Sequence, residues 1–179
     1  IVPVDAEGAD LTAFLRGLTM SLTIHDRSAG DRTRAVQLIN KTNQFNLNGR
    51  RVTDDEVAAI LDGGGRLYTC TLSDRTGTHG EILACLIDHA GVVRSLVMSC
   101  RVFQRRVEYA FFAWLGDRPG APNRLEFVST PRNEPIHQFL EDASFASSSD
   151  GMTAMDAREF AQAHAADLTL FTYTVSRET

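Results

Sequence analysis

The chain has 179 residues, 43% of them hydrophobic and 23% charged, which suits one globular domain with a buried core. Its net charge of -5 argues against a general nucleic-acid binder, because phosphate contacts need a basic field. No apolar run reaches the roughly 18 residues a membrane helix needs, and the N-terminus lacks the pattern of a signal peptide. Neither nucleic acid nor membrane is expected as a partner, and the expected location, on the cysteine usage described below, is the cytoplasm.

Asp10 to Gly17 reads as a short helix and Leu18 to Asp26 as a strand. Asp31 to Phe45 places Ala35, Leu38, Ile39 and Thr42 on one helical face. Thr53-Asp-Asp-Glu56 is a capping box, followed by Val57, Ile60 and Leu61, and Gly63 to Gly65 ends that helix. Arg66 to Ser73, Glu81 to Asp88 and Val92 to Val102 alternate as strands joined by short turns, which predicts an antiparallel meander. Arg105 to Leu115 is a helix whose stripe of Phe111, Phe112, Trp114 and Leu115 belongs to the core. Asn123 to Ser129 is a strand, and the strand–helix–strand order predicts a parallel pair. Pro135 to Ala143 is a helix, Ser147 to Gly151 a loop, Asp156 the cap of a helix reaching Asp167, and Leu168 to Val175 a closing strand.

Cys70, Cys85 and Cys100 all lie in strand-like runs. Three thiols without short-loop pairing predict buried, reduced cysteines. No Cys-x-x-Cys or His-x-x-x-His occurs, so no metal site is expected. The chain opens at Ile1 rather than Met, which suggests a piece of a longer protein.

The stretch from Ser95 to Trp114 carries the most information. An apolar strand turns through Gln104-Arg105-Arg106 into a helix, and a helix N-terminus beside arginines suits an anionic group. A solvated basic turn is the plainer reading, and both stay open.

The order of elements resembles the GNAT acyltransferase fold, an α/β domain with a mixed central sheet, an antiparallel meander and flanking helices. Three segments sharpen the likeness: Gln37-Leu-Ile-Asn-Lys-Thr-Asn-Gln-Phe-Asn-Leu47, Leu96-Val-Met-Ser-Cys-Arg-Val102 and Glu126-Phe-Val-Ser-Thr-Pro-Arg-Asn133. They resemble the C-terminal region of FkbH-like proteins of polyketide biosynthesis, across about Leu15 to Phe171. The resemblance implies one GNAT-like domain over residues 1–179, preceded in the whole protein by a haloacid-dehalogenase (HAD) phosphatase-type domain. That family is associated with loading a three-carbon glyceryl unit from a phosphorylated glycerate onto an acyl carrier protein. The implied partners are the carrier protein and the HAD-type domain; the implied ligand is coenzyme A or the carrier's phosphopantetheine. The HAD nucleophile pattern Asp-x-Asp-x-Thr does not occur in this chain.

The chain departs from a working acyltransferase at two places. The GNAT fold binds pyrophosphate through Arg/Gln-x-x-Gly-x-Gly/Ala, and the matching residues are Arg101-Val-Phe-Gln-Arg-Arg106. Gln104 and Arg106 stand where glycines would allow close backbone approach, and Glu108 adds a carboxylate nearby. The pattern Asn-x-x-Ala-x-x-Leu-Tyr-x-x-x-Gly-Phe meets Asn133 to Phe145, with Leu140 at the tyrosine and Ser144 at the glycine. A leucine cannot protonate a leaving thiolate. An alternative to catalysis is a non-catalytic module that docks the carrier or positions the HAD domain.

The candidate binding residues are Asn43, Gln44, Ser99, Arg101, Arg105, Arg106 and Asn133. Amides suit a polar acyl or pantetheine chain, though they also satisfy turns. Arg101 either meets an anion or pairs with Glu108 or Glu126. Asn133 is either a helix cap or a ligand contact. For catalysis, Cys100 would be a nucleophile only with a base beside it, and a buried inert thiol is the stronger expectation; Glu108 would be a base. Arg50-Arg51 either meets an acidic carrier or is solvated.

Overall fold

The computed structural model describes residues 4–147 and 151–177. One mixed sheet runs through it, built around the expected meander. Strands β3 (Arg66–Asp74), β4 (Gly77–Ile87) and β5 (Val92–Met98) pair antiparallel in sequence order. β1 (Met20–Asp26) lies antiparallel to β3, and β9 (Phe171–Arg177) closes the edge parallel to β1. On the other side β6 (Arg124–Leu125) runs parallel to β5, followed outward by β8 (Thr153–Ala154) and β7 (Ala146–Ser147). The fold is α/β with an open sheet flanked by helices, compatible with a GNAT-like single domain.

Two clusters of apolar side chains cover the sheet, one on each face. Helices α2 (Thr33–Lys41) and α3 (Asp54–Asp62) bury Ala35, Leu38, Ile39 and Val57 against Leu67, Ala84, Leu86 and Val97. The larger cluster lies under α4 (Val107–Gly116), α5 (Glu134–Asp142) and α6 (Ala157–Ala163). Every residue of α4 is buried, as its apolar sequence requires. Gly116 ends it where a Cβ would stand 2.0 Å from the Ala157 carbonyl oxygen, so only glycine lets α6 approach so closely. The Thr53 hydroxyl accepts from the Glu56 amide and Asp156 from the Glu159 amide, as their cap positions predict.

Several expected boundaries shift. Helix α1 begins at Val4, earlier than Asp10. α2 stops at Lys41, because Thr42 is already extended. The strand expected to reach Val102 ends at Met98 and gives way to a 3-10 turn over Cys100–Val102. The helix expected to reach Asp167 breaks at His164, and a short α7 (Ala165–Leu168) follows. Ala146 and Ser147 pair as a strand; of the loop expected from Ser147 to Gly151, residues 148–150 lie outside the described residues.

The strand expected over Asn123 to Ser129 is reduced to Arg124–Leu125, and the reason positions the site. β5 and β6 pair only at Val92–Arg124 and Val93–Leu125. Beyond that point β2 (Phe45–Asn46) inserts itself, pairing antiparallel with Val97 and Met98 of β5. The Leu47 amide donates to the Leu96 carbonyl at 3.0 Å, and the Leu47 carbonyl accepts from Val128 at 3.1 Å. The chain's own segment thus fills the space between two diverging strands and satisfies the polar edges of both.

Candidate functional site

The amide-rich segment after α2 divides into two kinds of residue. Asn40 donates to the Val52 carbonyl and accepts from its amide, both at 2.8 Å. Asn46 accepts from the amides of Asn48 and Gly49, and Asn48 donates to the carbonyls of Arg94 and Glu126. These amides hold the segment in place. Asn43 and Gln44 are exposed, and neither side chain forms a hydrogen bond among the described residues.

Asn43 and Gln44 line a cleft of about 660 Å³ with Lys41, Thr42, Met98, Ser99, Cys100, Pro131 and Arg132. β5 delivers Met98 to the cleft, the 3-10 turn holds Ser99 and Cys100 beside it, and the loop before α5 contributes Arg132. The Ser99 hydroxyl accepts from the Arg101 backbone amide and from its Nε at 3.1 Å, so Arg101 leans back toward Ser99 and pairs with neither Glu108 nor Glu126. Cys100 is exposed, contrary to the expectation of a buried thiol, because the strand ends two residues before it. Among the described residues the lining carries amides, hydroxyls, one thiol and the cations of Lys41 and Arg132, with no carboxylate or histidine. It suits a polar ligand with a negative charge.

The other proposed residues lie elsewhere. Asn133 is 1% exposed and makes no side-chain cap bond to α5. It accepts from the Thr130 amide at 2.8 Å and donates to the carbonyls of Asn46 and Val128 at 3.0 and 2.8 Å. Its side-chain polar atoms are used inside the protein, while its carbonyl accepts from the His137 amide at the start of α5 at 3.2 Å. Arg105 ion-pairs with Asp74 at 3.4 Å. Arg106 donates twice to Asp167, at 2.8 and 3.1 Å, and its guanidinium lies 3.5 Å from the Tyr109 ring centre. Neither arginine stands in the cleft of Asn43 and Ser99. Asp74, though burial raises its pKa, is lowered to about 2 by hydrogen bonds from Thr76 and His79. Arg50 pairs with Glu126 at 3.4 Å.

Gln104 and Arg106 have φ of 68° and 67°, and Ser144 has 61°. These are the three positions where the GNAT pattern has glycine. Only one other non-glycine among the described residues, Thr19 at 49°, shares that left-handed region, which disfavours side chains. Leu140, at the tyrosine position, is buried.

Glu108, in the first turn of α4, is 7% exposed, and its Oε2 is buried without a hydrogen-bond partner among the described residues. Burial pushes its carboxyl up to about 7. It lines a second cleft, of about 350 Å³.

Sequence reading missed Lys41. The signal was present, a lysine in the last turn of α2 directly before the free amides. Among the described residues no helix is long and apolar enough to cross a membrane, and no group of three or more metal-ligating side chains gathers. In comparisons with known proteins, no family model, curated protein or solved structure matches the chain significantly.

Proposed function

We propose that this chain is the C-terminal GNAT-like domain of an FkbH-like protein acting in the cytoplasm. In this reading its polar cleft receives the phosphopantetheine arm of an acyl carrier protein onto which a glyceryl unit is loaded. The observation that carries it is the cleft itself: Asn43, Gln44, Ser99 and Cys100, singled out by their place in the family-like segments, gather around one cavity flanked by Lys41 and Arg132. A phosphopantetheine arm is a phosphodiester followed by two amides and a thiol. The cations suit its phosphate, and the unengaged carboxamides suit its amides. The left-handed backbone at Gln104, Arg106 and Ser144 supports the GNAT alignment, since glycine-like conformation recurs where the pattern has glycine.

The same geometry disfavours a conventional coenzyme A site. Arg105 and Arg106 are paired with Asp74 and Asp167, and the gap between β5 and the segment after β6 is filled by β2. A second reading is a pseudo-GNAT module that holds the carrier for the HAD-type domain. The described lining has neither carboxylate nor histidine, which favours it, because neither of these common proton acceptors stands beside Cys100 there.

Calorimetry with phosphopantetheinylated carrier, unmodified carrier and coenzyme A tests the proposal. Tighter binding of the modified carrier, weakened by Arg132→Ala, supports arm capture. Equal affinity for the two carriers would overturn it. Turnover of a glyceryl thioester by the chain alone would decide against the docking reading.

A further inference from the structure

A second cleft begins at the start of α4 and shares only Met98 with the cleft described above. Phe45, Phe103, Tyr109 and Phe139 supply aromatic surface to it, Gln104 and Gln138 supply amides, and Glu108 and Asp142 supply carboxyl groups. The Glu108 Oε2 has no partner among the described residues although the side chain is more than nine-tenths buried. A buried carboxyl oxygen left unpaired is costly, and such atoms are ordinarily matched by protein, water or ligand.

We propose that this cleft is a site for an organic ammonium ion, in which Glu108 pairs with the cation and the aromatic rings enclose its apolar body. The charges around the site select that sign. Arg106, the one cation in the described lining, already donates twice to Asp167 and lies over the Tyr109 ring. Arg105 is tied to Asp74. His164 packs on Tyr109 from the end of α6 and bonds Asp167 at 3.1 Å. Asp142 on α5 accepts from Gln138 at 3.0 Å and is exposed at the rim. An anion entering would meet Glu108 and Asp142 with no uncommitted cation in the described lining, whereas an ammonium ion would meet two carboxyl groups and an aromatic wall. The Glu108 carboxyl, raised by burial to about 7, ionises in the neutral range, so binding strengthens as pH rises through that value. This inference concerns a different cavity from the arm-binding proposal and stands or falls separately.

The test uses phenethylamine and its anionic counterpart 3-phenylpropionate, titrated into the 179-residue chain and followed by NMR shift changes. Phenethylamine is expected to bind at about pH 8, roughly tenfold more tightly than 3-phenylpropionate, and to weaken roughly tenfold at about pH 5.5. Glu108→Gln is expected to remove both the preference and its pH dependence, and Asp142→Asn to weaken binding less. Should Glu108→Gln fail to fold, the charge preference and pH response of the unaltered protein decide. Equal or tighter binding of 3-phenylpropionate, no binding of phenethylamine, or pH-independent affinity would overturn the proposal.

Discussion

The side chain of Asn133 donates to the main-chain carbonyl of Asn46 at 3.0 Å, joining the start of α5 to β2 across 87 positions of sequence. With its bonds to Thr130 and Val128, this places the segment that carries Asn43 and Gln44 against the loop that carries Arg132. Asn133→Ala would leave buried partners unsatisfied and cost about 2–3 kcal/mol. Urea unfolding should show the loss, and an unchanged midpoint would mean that Asn133 does not hold the cleft together.

The left-handed residues make a separate prediction. Gln104 and Ser144 are exposed and have φ of 68° and 61°. Replacing either by glycine should relieve backbone strain and raise stability by about 1 kcal/mol, less what glycine adds to unfolded-chain entropy. Thermal melts of Gln104→Gly and Ser144→Gly check this; a lower melting temperature in both would contradict it.

Glu108 sets a pH dependence of stability. Its folded-state pKa is raised from 4.5 to about 7. Below 4.5 both folded and unfolded forms hold the proton. Between 4.5 and 7 the unfolded chain ionises first, so the stability that protonation contributes is lost as pH rises through this window, by a total of about 3 kcal/mol. Glu108→Gln should abolish that decline and be more stable than the parent at about pH 8. Parallel unfolding curves for the two proteins across the window would contradict this.

The thiols should divide by exposure. Burial pushes Cys85 up to about 12 and Cys70 well above its ordinary range, while Cys100 is exposed. Iodoacetamide should modify only Cys100 in the native protein and all three in denaturant, as peptide mass mapping would show. Native labelling of Cys70 or Cys85 would mean that the strands holding them open readily.

Much of this architecture was legible because hydrophobic period and cap chemistry are local. Thr53 and Asp156 announce their helices, and the meander follows from its short turns. The insertion of β2 was not legible, since two residues carry little periodic signal and their register depends on bonds to Leu96, Val128 and Asn133. For the same reason sequence could not separate the amides that brace the fold (Asn40, Asn46, Asn48) from those left free (Asn43, Gln44). The arginines misled in a similar way: Arg105 and Arg106 look like an anion site until Asp74 and Asp167, distant in sequence, are seen beside them.

The most direct test of the central claim uses a carrier protein whose phosphopantetheine arm ends in a bromoacetyl group. If the arm enters the cleft of Asn43, Gln44 and Arg132, its electrophile is delivered to Cys100, and alkylation should be roughly a hundredfold faster than by the same concentration of free bromoacetamide. The acceleration should fall in a Lys41→Ala, Arg132→Ala variant. Alkylation of Cys100 at the same rate by carrier-bound and free reagent would contradict the account.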